Sequence, residues 1–183
     1  MSTNENLSRS SFWSNLFKNP IEKSDLEHVL LSMPPFKSLG KHYLKQLMEL
    51  IHNRVYSVNE HVFYEGDPGI GLYIIREGKI KIYQSIDGGE RNELAVFNRG
   101  DFFGELALMD EAIRSASAVA VENSKLAVIF KPDLDYFLEK HPKQGIAILK
   151  GLSQMIALRL KLLDVEYLRL YKLYLEKSEG KTT

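Results

Sequence analysis

The chain has 183 residues, with 24 basic and 24 acidic side chains and no cysteine. That length suffices for one domain with a real core plus an appended element, and a neutral chain has no global attraction for nucleic acid or an acidic membrane surface, so any anion site has to be local. Without cysteine there is no disulfide, thiolate nucleophile, thiolate zinc site or cysteine-held iron–sulfur cluster.

Residues 1–10 are rich in Ser and Asn and read as a tail. They lead into Phe12-Trp13-Ser14-Asn15-Leu16-Phe17, an unusual density of aromatics. It fits a short helix docked on the domain or on a second subunit, and equally a peptide that docks on another protein or a membrane surface. Ser24 followed by Glu27 has the spacing of a capping box, predicting a helix from Asp25 to Ser32 that stops before Pro34-Pro35. Tyr43, Leu44, Leu47, Met48 and Ile51 predict a second helix over about Gly40 to His52.

From Arg54 to Phe130 the texture changes to short apolar runs broken by glycine-bearing turns. Strands are expected at Val55–Val58, His61–Tyr64, Leu72–Ile75, Lys79–Tyr83, Glu93–Phe97, Ala116–Val121 and Leu126–Phe130. Lys79-Ile80-Lys81-Ile82-Tyr83 alternates as a half-exposed strand does, and Asp87-Gly88-Gly89 reads as a hairpin turn. Many short strands with regular turns predict a mainly β jelly roll flanked by helices.

After Pro132 the pattern is helical again: a short helix to about His141, then a long one to about Lys177, roughly 50 Å at 1.5 Å per residue. Ile146, Leu149, Ser153, Ile156, Leu160, Leu163, Tyr167, Leu170 and Tyr174 form a heptad seam. A second set, Ile148, Leu152, Met155 and Leu162, widens the apolar face. One roll cannot cover both sets, which predicts a homodimer through this helix; folding back on a monomer is the alternative.

The chemistry concentrates between Gly100 and Ser117. Glu105 to Asp110 is expected to form one or two helical turns, and Gly104 lets the backbone approach a ligand. Arg114 offers a guanidinium fork for a phosphate, small residues leave room around it, and Glu105 is an acceptor suited to a sugar hydroxyl. Together they describe a nucleotide site.

Phe103-Gly104-Glu105-Leu106-Ala107-Leu108 followed by Arg114-Ser115-Ala116 resembles the phosphate-binding cassette of the cyclic-nucleotide-binding family, which includes protein kinase A regulatory subunits and bacterial catabolite activator proteins. Glu65-Gly66-Asp67-Pro68-Gly69, Tyr73-Ile74-Ile75, Gly78 and Met33 to Leu39 resemble its other signatures, over about residues 25 to 170. The resemblance implies a β-roll with N-terminal helices and a long C-terminal helix. It divides the chain into a flexible segment with the aromatic cluster (1–23), a cyclic-nucleotide-binding domain (24–141), the helix (142–177) and a tail (178–183). It implies a non-enzymatic sensor for cAMP or cGMP, with Phe103, Gly104, Glu105, Leu106, Ala107, Arg114, Ser115 and Ala116 as the binding set. Glu105 would take the ribose 2′-hydroxyl, Arg114 the cyclic phosphate, and the amides of Ala107 and Ser115 would complete the cradle. A residue of the long helix would cover the base. Two positions depart from the family pattern: Ile113 stands where proline is usual, and Ile70 where an acidic or small polar residue is common. Arg114 and Glu105 pairing with one another in a roll that binds nothing is the competing expectation.

An enzyme of the cupin kind would need clustered histidines, but His28, His42, His52, His61 and His141 are scattered, and no metal site or nucleophile–base pair is expected. No apolar run approaches the roughly 20 residues that span a bilayer. The activator proteins carry a DNA-binding domain after this helix, whereas few residues follow Lys177 here, so DNA is not an expected partner. The expectation is a cytoplasmic sensor acting on a protein effector that the sequence does not identify.

Overall fold

The computed structural model describes residues 20–86, 90–109 and 113–179. Helices α1 (Pro20–Ser32) and α2 (Lys41–Glu49) precede strands β1 (His52–Tyr56), β2 (His61–Phe63), β3 (Gly71–Glu77), β4 (Ile80–Ser85), β5 (Arg91–Phe97) and β6 (Phe102–Phe103). A single turn of helix, α3 (Leu106–Met109), separates these from β7 (Ser117–Ala120) and β8 (Ser124–Phe130), and α4 (Lys131–Lys140) and α5 (Pro142–Glu179) close the chain. The strands form two antiparallel sheets in the orders β1-β8-β3-β6 and β2-β7-β4-β5.

In the first sheet β3, β6 and β8 are buried on both faces, which is why Leu72-Tyr73-Ile74-Ile75 and Leu126-Ala127-Val128-Ile129 are continuous apolar runs rather than alternating ones. Leu72, Ile74, Phe102, Ala127 and Ile129 point to the helices and join Leu30, Phe36, Leu47, Phe137, Ile148 and Leu152 in one core. Tyr73, Ile75, Phe103, Leu126 and Val128 point the other way and meet Ile80, Ala118 and Ala120 of the second sheet. The mainly β fold with flanking helices is therefore the one expected, with a second core added outside the roll.

Several boundaries differ from expectation. Helix α1 starts at Pro20, so Ser24 lies inside it and caps nothing; proline suits a first turn because its missing N–H has no partner to lose there. Helix α2 ends at Glu49, since His52 already pairs with Val128 to begin β1. Strand β1 consequently runs three residues earlier than its apolar residues suggested, and Asn59, at φ 67°, turns the chain where Val55–Val58 was to end. The pairing of β4 with β5 shifts at Leu94, which stands unpaired between Ala95, opposite Ile82, and Glu93, opposite Tyr83, and Tyr83 is buried. Asp87-Gly88-Gly89 lies outside the described residues, but the strands beside it pair as a hairpin, with the Ile86 amide donating to the Glu90 carbonyl at 2.8 Å.

Two contacts fix the helices on the roll. Asp25 of α1 accepts from Arg76 of β3 at 3.1 and 3.2 Å and from Arg99 of the β5–β6 connection, while Arg76 also donates to Asn53 of β1 at 3.0 Å. Desolvation pushes the Asp25 carboxyl up, but the hydrogen bonds from Arg99 and Arg76 outweigh it and hold the group below its ordinary value. Within the helical layer, a Cβ on Gly151 of α5 would lie 2.4 Å from Pro35 Cα, so α5 crosses the turn after α1 at a separation only glycine permits.

Asp25→Asn is expected to cost about 2 kcal/mol at neutral pH in urea denaturation. Because the folded pKa is depressed, the wild-type advantage is complete above the unfolded value. It should hold down to about pH 5 and shrink as pH falls through the folded value. Gly151→Ala is expected to lower stability by about 1 kcal/mol or more by overpacking, although alanine favours helix by a similar amount; a gain in the urea midpoint would contradict this packing.

Candidate functional site

Strand β6 delivers Phe103 into the roll, where it stacks on Tyr73 at 5.2 Å between centroids. The chain then turns at Gly104, with φ +79°. A Cβ there would sit 2.7 Å from Arg114 Nη1 and 3.1 Å from the Gly71 carbonyl, so the turn and the close approach both require glycine. Glu105 follows, and its carbonyl accepts from the Leu108 amide at 3.0 Å as α3 begins.

Arg114 is held from the other side. Its amide donates to the Asp67 carbonyl at 2.8 Å, and its carbonyl accepts from the Gly66 amide at 2.9 Å, so the Glu65–Pro68 turn fixes its backbone. The side chain is only 4% exposed. Nη1 donates to the Gly104 carbonyl at 3.2 Å and Nη2 to the Gly71 carbonyl at 3.0 Å. The guanidinium lies over the Phe63 ring at 4.2 Å and the Tyr73 ring at 5.4 Å. Burial lowers its pKa from the usual arginine value, with Tyr73, Asp67 and Glu105 opposing; an arginine nonetheless stays charged. Burial likewise raises the Tyr73 phenol. Among the described residues, Arg114 Nε is the buried side-chain donor without a hydrogen-bond partner. A buried, charged group with an unused donor is costly unless an acceptor arrives.

Glu105 is 7% exposed and pairs with Arg159 of α5, Nη1 to Oε1 at 2.6 Å. Arg159 also donates to the Phe102 carbonyl and sits over the Phe97 and Phe102 rings at 4.9 and 4.6 Å. Glu105 and Arg114 therefore have separate partners, not each other.

Phe103, Gly104, Glu105, Leu106, Arg114, Ser115 and Ala116 all line one cavity of about 390 Å³. Ala107 lies in α3. Ser115 is exposed, and its carbonyl accepts from Gln84 Nε2 at 2.8 Å. The far wall is apolar, with Phe63, Ile82, Leu94, Ala95, Phe97 and Leu163.

Arg159 and Leu163 were not singled out for this site by sequence. The signal was present: Ile148, Leu152 and Met155 turn out to be the face of α5 against the domain, and Arg159 is the next position on that face. A lone arginine continuing an apolar stripe points at something anionic. Leu162, grouped with that stripe by sequence, is exposed, as is Leu163, but Leu163 lines the cavity.

The sequence pattern of the cyclic nucleotide-binding domain matches residues 53–141. The cyclic AMP receptor protein of Thermus thermophilus is 33% identical over 133 residues, covering 73% of this chain and 60% of its own length. A cAMP-dependent protein kinase regulatory subunit of Schizosaccharomyces pombe is 31% identical over 72% of this chain and 31% of its own. The N-terminal domain of a transcriptional regulator from Streptomyces coelicolor superposes with a TM-score of 0.65 at 30% identity, covering 70% of this chain and 92% of that domain. The chain thus spans less than two thirds of these two curated relatives while matching nearly all of the solved N-terminal domain. With its cassette, two-sheet roll and long closing helix, the chain belongs to the cyclic nucleotide-binding domain family.

Proposed function

We propose that this protein is a non-enzymatic cytoplasmic receptor for cAMP or cGMP, with residues 24–141 as the binding unit and 142–177 as the output helix. The observation that carries the reading is the buried Arg114 guanidinium, with an unused Nε donor, in the same cavity as the Glu105 carboxylate. A cyclic phosphate supplies the acceptors that Arg114 lacks, and guanidinium–phosphate pairing is charge-assisted and bidentate. Glu105 Oε1 is held by Arg159, and the carboxylate has acceptor capacity left at Oε2 for a ribose hydroxyl. The amides of Ala107 and Ser115 complete the cradle, and the wall of Ile82, Leu94 and Leu163 takes the purine. The cavity volume falls within the usual range for a small-ligand site.

The ligand reaches α5 through Arg159. Any change in the Glu105 carboxylate alters an ion pair whose other half is on that helix, so ligand binding and helix position are thermodynamically linked. The heptad seam is exposed at Ile146, Leu160, Tyr167 and Tyr174 and pairs with a second copy in this reading. The helix dimer then carries the signal to a protein effector.

Isothermal titration with cAMP and cGMP tests the site. Arg114→Ala removes two charge-assisted hydrogen bonds and is expected to weaken binding by about 100-fold or more. Glu105→Gln keeps the shape and is expected to cost roughly tenfold. Silence of the wild type toward both nucleotides would make the chain an interaction scaffold instead. Arg159→Ala is expected to retain binding while losing any ligand-dependent change in proteolysis of α5. An unchanged response in that variant would refute the route through Arg159.

A further inference from the structure

The second sheet has an outward face as well as the face that closes the roll. Side chains alternate along a strand. Ile80 and Ile82 of β4 and Ala118 and Ala120 of β7 turn into the roll, so Lys81, Tyr83 and Val119 turn out. Val119 pairs with both His61 and Lys81, which sets these three side by side across the sheet. Tyr83 stands opposite Glu93 of β5, and Arg91 lies two residues before Glu93 on the same face.

An outward face is ordinarily solvated, yet Tyr83 is 4% and Val119 8% exposed. Neither belongs to the core on either side of the first sheet. They line a separate cavity of about 400 Å³ together with His61, Lys81, Arg91 and Glu93, and with Asn59 and Val121 beside the end of β7. This cavity shares no lining residue with the one that holds Arg114.

Its polar groups are fixed in place and partly unused. The Tyr83 hydroxyl and His61 Nε2 lie 2.8 Å apart, and the His61 ring stacks on Tyr64 at 4.4 Å. Burial and then the Arg91 charge lower the His61 pKa, so the imidazole is neutral at pH 7 and Arg91 is near enough to act on it. Arg91 sits over the Tyr83 ring at 4.6 Å and has no carboxylate partner among the described residues. Lys81 pairs with Glu93 at 2.9 Å. Two cations against one carboxylate leave a local excess of positive charge. A guanidinium backed by a ring keeps its N–H fork available to an anion, and a phosphate monoester fits that fork through two hydrogen bonds. The rest of the lining suits hydroxyls rather than a base. Glu93 accepts, the Asn59 amide both donates and accepts, and the Tyr83 ring, buried beneath Arg91, offers no open face for stacking.

We propose that this outer cavity is a second ligand site, for a small phosphorylated polyhydroxy compound of the sugar phosphate class. Arg91 and Lys81 take the phosphate, and Glu93 and Asn59 take hydroxyl groups. The site works independently of the cassette.

The His61 imidazole reports on the cavity by NMR in the full chain, and glucose 6-phosphate is the probe. A saturable shift of the His61 resonances is expected at submillimolar probe. Arg91→Gln, at an exposed position, is expected to weaken binding about tenfold or more, and Lys81→Gln severalfold. Saturating cAMP should leave the probe bound, whether or not the cassette takes cAMP. Inorganic phosphate should bind at least about tenfold more weakly than the probe, because it lacks the hydroxyls. Absence of saturation at millimolar probe overturns the proposal. So does binding that survives Arg91→Gln intact, displacement of the probe by cAMP, or inorganic phosphate acting as well as the sugar phosphate.

Discussion

A sheet with two apolar faces organises the rest of this protein. Burying both sides of β1-β8-β3-β6 obliges the chain to supply a roll on one side and a helical layer on the other. Adjacent residues of one strand then belong to different cores. Phe102 sits among the helices and Phe103 inside the roll, and the backbone between them leads directly to Gly104 and Glu105. The site is thus built where the two cores share a strand. A displacement in either is felt at the cavity, because close-packed interiors transmit strain rather than absorbing it.

The electrostatics follow the same division. Arg114 is held from the roll side, over Phe63 and Tyr73 and against two carbonyls. Arg159 comes from the helical side, over Phe97 and Phe102. Two cations on aromatic faces flank one buried carboxylate, so the cavity is rich in positive charge although the chain as a whole is neutral. That local excess suits a small anion, and aromatic faces stabilise the guanidinium groups while no anion is present.

Much of this was legible in the sequence. The cassette was readable because its geometry rests on residue types with few substitutes: Gly104 at a positive φ against Arg114, and a carboxylate and a guanidinium at fixed spacing. The jelly roll was readable from the texture of short runs. Less legible were features set by tertiary contact. Two residues of β6 are too few for a periodic signal, and the register shift at Leu94 of β5 depends on which residues meet across the sheet. Ser24 and Glu27 had capping-box spacing, yet Pro20 began the helix a turn earlier. Arg159 was missed because the heptad pattern drew attention to the face of α5 that looks away from the domain.

Gly151 has a mechanical consequence. It pins α5 against Pro35 near one end of a 38-residue helix. Arg159 lies about 12 Å beyond this fulcrum and Glu179 about 42 Å beyond it. A tilt that moves Arg159 by a fraction of an ångström therefore swings the far end about three to four times as far. A helix pinned there has the geometry of a lever, in which an adjustment the size of a hydrogen bond near the cavity corresponds to a displacement the size of a side chain at the far end.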